Sequence, residues 1–414
     1  MSAQEMWKSN SKRQYRKMVA ELTEHLELPE VMLAAQRADE IKLQRVASKA
    51  TKNYTRAFLN ETAQGRLRSN DAKRLKLRDM FLDTIVEKGL KGGQVMPHEF
   101  VSTIRKNKHI SRGMELAMDA QWKNMTKEVL DQIQAKAEED GVDFDPTRMV
   151  PICDVSGSME GVPMDVSIAL GIMISEITHP AFQNMVLTFS ESPTWHRLQS
   201  SDTIVQKVRS LERAPWGMST DFAKAYDLVL ESCLKHKLNR EDVPCLIVFS
   251  DMQFDQAYGF SPYWGSSGIR ALDPVTMFQT IRAKMKVVAD KLGWQDAEPT
   301  PIVFWNLRNT GGHPVDKDTE GTVLLAGFSP SLLKLVMNGE ALKEDEVEVV
   351  QADGGLVREK VRVTPEEVLR KMLDDPLYDP VRRILDKSEE GVLKAYKLPI
   401  NDEGVEAGFE MVIE

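Results

Sequence analysis

The chain has 414 residues, of which 42% are hydrophobic and 28% are charged, and its formal net charge is −9. This length accommodates two or three domains, the composition is that of an ordinary globular protein, and the negative charge argues against binding of polyanions through bulk charge. No apolar run reaches the roughly 18 residues of a membrane span, and the N-terminus is too polar for a signal peptide. We therefore predict a cytoplasmic, intracellular protein with no membrane partner.

Three cysteines, Cys153, Cys233 and Cys245, lie in apolar or helical contexts. Their odd number and their surroundings argue against a disulfide framework or a zinc site. They are predicted to be buried thiols in a reducing compartment, which agrees with an intracellular location.

The first third of the chain is predicted to be entirely helical. Apolar residues recur near helical spacing, and proline or glycine separates the segments. The predicted helices cover residues 11–28, 30–38, 43–60, 70–88, 97–106 and 112–139. We assign residues 1–140 to one helical region, with short helix pairs of the kind that helical repeats contain.

Part of this helical region is strongly basic. Residues 49–112 hold 15 lysines and arginines against 6 acidic residues, a net charge of +9 in a chain whose total is −9. Such asymmetry indicates either a nucleic-acid face or simply the solvated faces of several helices. The candidate RNA-binding residues are Lys49, Lys52, Arg56, Arg66, Arg68, Lys73, Arg74 and Lys76.

After a linker at residues 141–146, short apolar runs alternate with helices, a pattern typical of an α/β fold with a doubly wound, mostly parallel sheet. The predicted strands are 149–153, 185–189, 244–249, 301–306 and 322–326, with a short antiparallel edge strand at 195–198. We assign residues 147–340 to this domain. Residues 341–414 are predicted to be a C-terminal extension that packs on the earlier domains and includes a hairpin within 340–363.

Acidic and hydroxyl side chains stand at three predicted loops of this sheet. The first loop follows a strand with Asp154, Ser156 and Ser158; the second has Thr220 before a helix; the third has Asp251 directly after a strand. The carboxyl ends of parallel strands meet at one edge, where ligands of open α/β sheets bind. Carboxylate and hydroxyl oxygens suit a hard cation such as Mg²⁺.

These three loops resemble the metal-ion-dependent adhesion site (MIDAS) of von Willebrand factor A (vWA) domains, a Rossmann-like fold. The resemblance implies that Ser156 and Ser158 bind the metal directly and that Thr220 binds it directly or through water. Asp154 and Asp251 would act mainly through waters and by orienting the hydroxyls. Mg²⁺ is the expected metal, with Mn²⁺ or Ca²⁺ as alternatives, and its open position would accept a carboxylate of a partner protein. We expect a binding protein and no enzyme, the alternative being a metal-assisted hydrolase.

A glycine-rich, aromatic stretch follows the third loop. It contains Asp255, Tyr258, Phe260, Tyr263 and Trp264. Loops at this edge commonly carry recognition, so the stretch is a candidate recognition loop; the alternative is an insertion without fixed structure.

Further motifs resemble an uncharacterised intracellular family, a domain of unknown function with a helical N-terminal region and a C-terminal vWA domain. They are Tyr15-Arg-Lys-Met18, Leu28-Pro-Glu-Val-Met32, Lys49-Ala-Thr-Lys-Asn-Tyr54, Met96-Pro-His-Glu99, Cys153-Asp-Val-Ser-Gly-Ser-Met159, Phe304-Trp-Asn-Leu-Arg308 and Gly327-Phe-Ser-Pro-Ser-Leu-Leu-Lys334. The architecture is also similar to the Ro autoantigen (TROVE) proteins, in which a ring of helical repeats binds RNA. That similarity implies RNA binding by the basic helices as the alternative function.

Overall fold

The computed structural model describes residues 3–92, 95–140, 148–188, 190, 192–214, 222–251, 274–308, 321–327, 344–350 and 356–362, with the single residues 370 and 379. The chain divides into two compact units, Met1–Pro330 and Ser331–Glu414. The first unit holds both the helical region and the α/β sheet; the boundaries proposed between domains remain predictions.

Among the described residues, six α-helices form the N-terminal part of the first unit: α1 (Ala3–His25), α2 (Pro29–Ala34), α3 (Ser48–Phe58), α4 (Ala72–Glu87), α5 (Pro97–Lys106) and α6 (Arg112–Asp140). Helices α2 and α5 begin with Pro29 and Pro97. At this position the backbone N–H has no acceptor within the helix, so the proline loses no hydrogen bond. The Asp71 carboxylate caps α4 by accepting a 3.0 Å hydrogen bond from the Arg74 backbone N–H.

Three of the predicted helices are wrong in their extent. The helix predicted over 11–28 is observed as Ala3–His25. The helix predicted over 30–38 ends at Ala34, and Gln36 has a left-handed φ of 58°. The helix predicted over 43–60 starts only at Ser48. Ile41 and Val46 have extended backbones and are buried, with 2% and 6% exposure. Burial of these two side chains outweighs the helical propensity of the segment.

The sheet contains β1 (Met149–Cys153), β2 (Met185–Thr188), β3 (Trp195–Arg197), β4 (Cys245–Ser250), β5 (Ile302–Asn306) and β6 (Thr322–Ala326). The spatial order is β3-β2-β1-β4-β5-β6. All neighbouring pairs are parallel except β2 with β3, which is the antiparallel edge. The predicted doubly wound, mostly parallel sheet behind an all-helical region is therefore confirmed.

Helices cover the sheet on both faces. The intervening helices are α7 (Val162–Ile177), α8 (Ile204–Glu212), α9 (Phe222–His236) and α10 (Pro274–Leu292). Val150, Ile152 and Phe304 pack in one core with apolar residues of α9 and α10. Helix α7 contacts β1 on one side and α5 on the other, and its residues 164–175 are all buried. This position explains why most residues of α7 are apolar.

Polar contacts join the helical region to the α/β part of the first unit. The Trp122 indole N–H donates to one oxygen of the Glu176 carboxylate at 3.0 Å, and Lys207 Nζ donates to the other at 2.8 Å. Arg209 Nη2 donates to the backbone oxygen of Ile104 at 2.7 Å. Glu176 of α7 thus accepts a hydrogen bond from α6, and Arg209 of α8 donates one to α5, so both contacts hold the helical region against the α/β part.

The second unit contains one described hairpin, β7 (Glu344–Val350) paired antiparallel with β8 (Leu356–Arg362). It confirms the hairpin predicted within 340–363. The sequence also predicts helices over 330–337, 364–372 and 379–385. These segments lie outside the described residues, apart from residues 370 and 379. Among the helices of the described residues, none combines the length and the apolarity needed to cross a bilayer.

Cys153, Cys233 and Cys245 are buried free thiols. Burial raises the pKa of each thiol to about 12. Because the thiolate is the reactive form, these cysteines act as small apolar core residues in the native protein.

Gly171 lies where α7 passes closest to the end of β1. A Cβ at this position would stand 2.1 Å from the Cys153 sulfur. We expect Gly171→Ala to lower the free energy of unfolding by about 1–3 kcal/mol, because this core leaves no room for a methyl group. Chemical denaturation followed by circular dichroism measures the change. Gly157→Ala is the control, because its Cβ would have no heavy atom within 4 Å. Equal losses of stability for the two substitutions would refute the close packing of Gly171 against Cys153.

Candidate functional site

The candidate site lies where the strand order reverses. β1 pairs with β2 on one side and with β4 on the other, all parallel, so the chain winds outward in both directions from β1 and β4. Such a switch point leaves a crevice outside the carboxyl ends of the two central strands, where open α/β sheets bind ligands. Asp154 directly follows β1 and Asp251 directly follows β4, so both acids stand at this crevice.

Asp154 is held rigidly at the end of β1. Its side chain is only 2% exposed, and its backbone N–H donates to the Phe249 oxygen at 2.9 Å, which extends the β1–β4 pairing. Oδ1 accepts the backbone N–H of Ser156 at 2.9 Å, and Oδ2 accepts the Ser250 hydroxyl at 2.7 Å. Both carboxylate oxygens therefore shape the loop.

The two serine hydroxyls of the first loop lie next to each other. Ser156 Oγ and Ser158 Oγ are 3.0 Å apart, and both residues are half-buried. A short 3₁₀ turn, Gly157–Met159, carries them, with Met159 fully buried and Gly157 exposed to solvent. The buried methionine anchors the loop that carries the hydroxyl pair.

Asp251 is also only 2% exposed. Burial raises the pKa of the Asp154 carboxyl above its ordinary value, and the neighbouring negative charge of Asp251 adds to that rise; hydrogen bonds from Ser156 and Ser250 partly offset it. Two acids that share a buried crevice repel each other when both are ionised. A cation at this position would relieve that repulsion.

Two residues at the same edge were not predicted from the sequence. Ser250, the last residue of β4, is the hydroxyl that binds Asp154 Oδ2. Asn306, the last residue of β5, pairs with Ser250 in the sheet and is 3% exposed, and its side-chain oxygen accepts the Arg308 backbone N–H at 2.9 Å. In the sequence, each of these two residues could have been recognised as the polar residue that ends an otherwise apolar strand.

A cation from the helical region reaches the segment that follows the serines. Arg105 of α5 contacts three carboxylates, those of Asp165 at 2.7 Å, Glu160 at 3.0 Å and Glu212 at 3.2 Å. Glu160 lies two residues after Ser158 and Asp165 lies in the first turn of α7. The helical region therefore contacts the same loop–helix segment that carries the candidate ligands.

The remaining predicted site residues lie outside the described part of the chain. They are Thr220, Asp255, Tyr258, Phe260, Tyr263 and Trp264. Among the described residues, no group of three or more His, Cys, Asp or Glu side chains could hold a metal ion. Two hydroxyls and two carboxylates are nevertheless an all-oxygen donor set, which fits Mg²⁺ chemistry better than that of softer metals.

Several of the predicted RNA-binding cations are engaged within the protein. Lys49 and Lys52 both contact the Glu99 carboxylate, at 2.6 and 2.9 Å. Arg56 Nη2 donates to the Asn107 side-chain oxygen at 2.8 Å.

The other five candidate cations lie on α4 or on the segment before it. Lys73 and Lys76 lie 3.9 and 3.8 Å from Asp39, and both are exposed. Arg74 is half-buried, whereas Arg66 and Arg68 are exposed. Among the candidate RNA-binding cations, the exposed ones therefore lie on the α3–α4 connection and the start of α4.

Two family models match successive parts of the chain. The family described as a domain of unknown function, DUF7788, matches residues 148–373. The chain belongs to this family. A second domain of unknown function, DUF2828, matches residues 2–134, which lie in the helical region. The second match ends within α6, and the first begins just before β1.

An uncharacterised protein, L728, of Acanthamoeba polyphaga mimivirus is 33% identical over 338 residues, which is 79% of this chain and 52% of the viral protein. The chain thus spans about half the length of that relative. Among solved structures, the Deinococcus radiodurans RO (RSR) protein matches with a TM-score of 0.38 and 16% identity, over 74% of this chain and 60% of that one.

Proposed function

We propose that this protein is a binding or scaffold protein in which a vWA-like domain uses Mg²⁺ to bridge to an acidic group of a partner protein. One observation carries the proposal: two serine hydroxyls 3.0 Å apart stand at the switch-point crevice where the buried Asp154 and Asp251 meet. In such an arrangement the neutral serine hydroxyls bind the cation directly, and the two carboxylates supply negative charge farther from it.

Each residue has a separate role in this proposal. The Ser156 and Ser158 hydroxyls bind the metal, and Thr220 supplies a further oxygen directly or through water. Asp154 and Asp251 hold metal-bound waters and keep the hydroxyls oriented. Mn²⁺ and Ca²⁺ are the alternative ions. Because the direct protein ligands are neutral, the metal keeps a strong attraction for an incoming carboxylate.

The proposed activity is binding rather than catalysis. Both oxygens of Asp154 already accept hydrogen bonds from the protein. Each carboxylate oxygen keeps a second lone pair, which can accept a hydrogen bond from a metal-bound water. Asp154 is therefore suited to holding the loop and a metal-bound water together, which is a binding role.

Isothermal titration of Mg²⁺ into the full chain tests the metal site. We expect saturable binding to the wild type and at least about tenfold weaker binding to Asp251→Asn, because the amide removes the charge that orients metal-bound waters. Asp290→Asn is the control, since Asp290 is an exposed acid of α10. Equal affinities of the wild type and Asp251→Asn for Mg²⁺ would refute the proposed metal site.

RNA binding is the second candidate function, supported by the exposed cations around the α3–α4 connection. It predicts that the affinity for a single-stranded RNA oligonucleotide falls steeply as salt increases, since each neutralised phosphate releases counterions. Arg66→Ala/Arg68→Ala should weaken binding and make the plot of log affinity against log salt shallower by roughly one to two units. Fluorescence anisotropy measures both. Lys286→Ala on α10 is the exposed control, and a response to salt that is flat in the wild type would exclude this function.

A further inference from the structure

Arg308 reaches across the carboxyl edge of the sheet. It lies just after β5, and its Nη2 donates to the backbone oxygen of Glu160, in the loop after β1, at 3.4 Å. Strand β4 lies between β1 and β5 in the sheet, so these two strands are about 10 Å apart. The Arg308 side chain therefore extends over the carboxyl end of β4, where Asp251 stands.

Backbone contacts fix the position of Arg308. The Leu307 N–H donates to the Ser250 oxygen at 2.9 Å, which continues the pairing of β4 with β5 by one residue. The Arg308 N–H then donates to the side-chain oxygen of Asn306 at 2.9 Å, and Asn306 is only 3% exposed. Arg308 is thus anchored to the core at the same sheet edge as Asp251, which follows Ser250.

The Arg308 guanidinium retains donors that a ligand can use. A guanidinium has five N–H groups, and among the described residues that of Arg308 donates to one acceptor, through the long contact to the Glu160 backbone. The Glu160 carboxylate contacts Arg105 instead, at 3.0 Å. Arg308 is half-buried, so part of its side chain remains accessible to solvent. A positive group with open donors therefore stands beside the crevice.

We propose that Arg308 binds and orients the acidic group of the partner protein, a role that rests on the proposed metal bridge. The acidic group is a side-chain carboxylate. One of its oxygens binds the metal held by Ser156 and Ser158, and the other accepts hydrogen bonds from Arg308. The paired donors of a guanidinium match a planar carboxylate, so Arg308 selects both the chemistry and the orientation of the ligand.

Isothermal titration of Mg²⁺ into the full chain tests this role, with acetate as the probe. The titration is run in sodium chloride and in sodium acetate of equal ionic strength, and free Mg²⁺ is corrected for its complex with acetate. Acetate should raise the Mg²⁺ affinity of the wild type by about fivefold or more, because two ligands that contact each other are coupled. Arg308→Ala should lose this increase. In chloride it should bind Mg²⁺ at least as tightly as the wild type, because a nearby positive charge has been removed.

Arg308→Lys should retain only part of the acetate effect, since lysine keeps the charge but not the paired donors. Arg282→Ala is the control, because Arg282 is a 46% exposed residue of α10, and it should keep the whole effect. The role of Arg308 is overturned if acetate changes the Mg²⁺ affinity of the wild type and Arg308→Ala equally or not at all. It is also overturned if Arg308→Ala loses Mg²⁺ binding in chloride, which indicates a structural role. Absence of Mg²⁺ binding by the wild type in both salts would refute the metal bridge itself, and this role with it.

Discussion

Replacement of Arg105 by alanine is expected to lower the free energy of unfolding by about 3–5 kcal/mol, because it leaves a buried carboxylate without its partner. Asp165 is the reason for this large effect: its side chain is 5% exposed, and it lies 2.7 Å from Arg105. For a unit of this size, the change corresponds to a loss of about 4–7 °C in melting temperature. Thermal and urea unfolding at pH 7, followed by circular dichroism, measure it.

Arg282→Ala is the matched control for this prediction. Arg282 contacts Glu298 at 2.9 Å, but the two side chains are 46% and 63% exposed, so the expected loss is only about 0–1 kcal/mol. The double variant Arg105→Ala/Asp165→Ala should recover part of the stability, because it removes the unpaired charge as well. An Arg105→Ala protein no less stable than Arg282→Ala would show that the Asp165 contact contributes little.

The sequence predicted the sheet well because local patterns determine it. Apolar runs bounded by proline, glycine or polar residues identified β1 and β6 to the residue, and the alternation of strands with helices indicated parallel order. The acids that follow β1 and β4 could be placed at one edge of the sheet by the same reasoning. The alternation of strands with helices implies parallel strands, and the carboxyl ends of parallel strands lie at the same edge.

The contacts between the helical region and the α/β part could not be predicted in the same way. Arg105 and Asp165 are 60 residues apart, and nothing in their local sequence links them. One signal was present: α7 is mostly apolar, which indicates a helix covered on more than one side. That signal predicts that something packs on α7, but it does not identify α5. Similarly, the extended backbone at Ile41 and Val46 depends on burial that the helical periodicity of the segment does not reveal.

The second large effect that we expect is an increase in the melting temperature when Mg²⁺ binds at the crevice. If Mg²⁺ binds the native protein and not the unfolded chain, it stabilises by mass action, by about 2.7 kcal/mol at a concentration of 100 Kd. For the first unit this is an increase of about 4 °C in melting temperature. The wild type should show this increase between EDTA and saturating Mg²⁺.

Ser158→Ala should separate metal binding from folding. The substitution removes one hydroxyl of the pair with Ser156 but keeps the buried Met159 anchor and both carboxylates. We therefore expect a melting temperature close to that of the wild type in EDTA and loss of most of the Mg²⁺-induced increase. Ser201→Ala, at an exposed serine before α8, should keep the full increase. If Ser158→Ala also keeps it, then Ser158 only shapes the turn, and the proposed bridge through a metal at this hydroxyl pair is wrong.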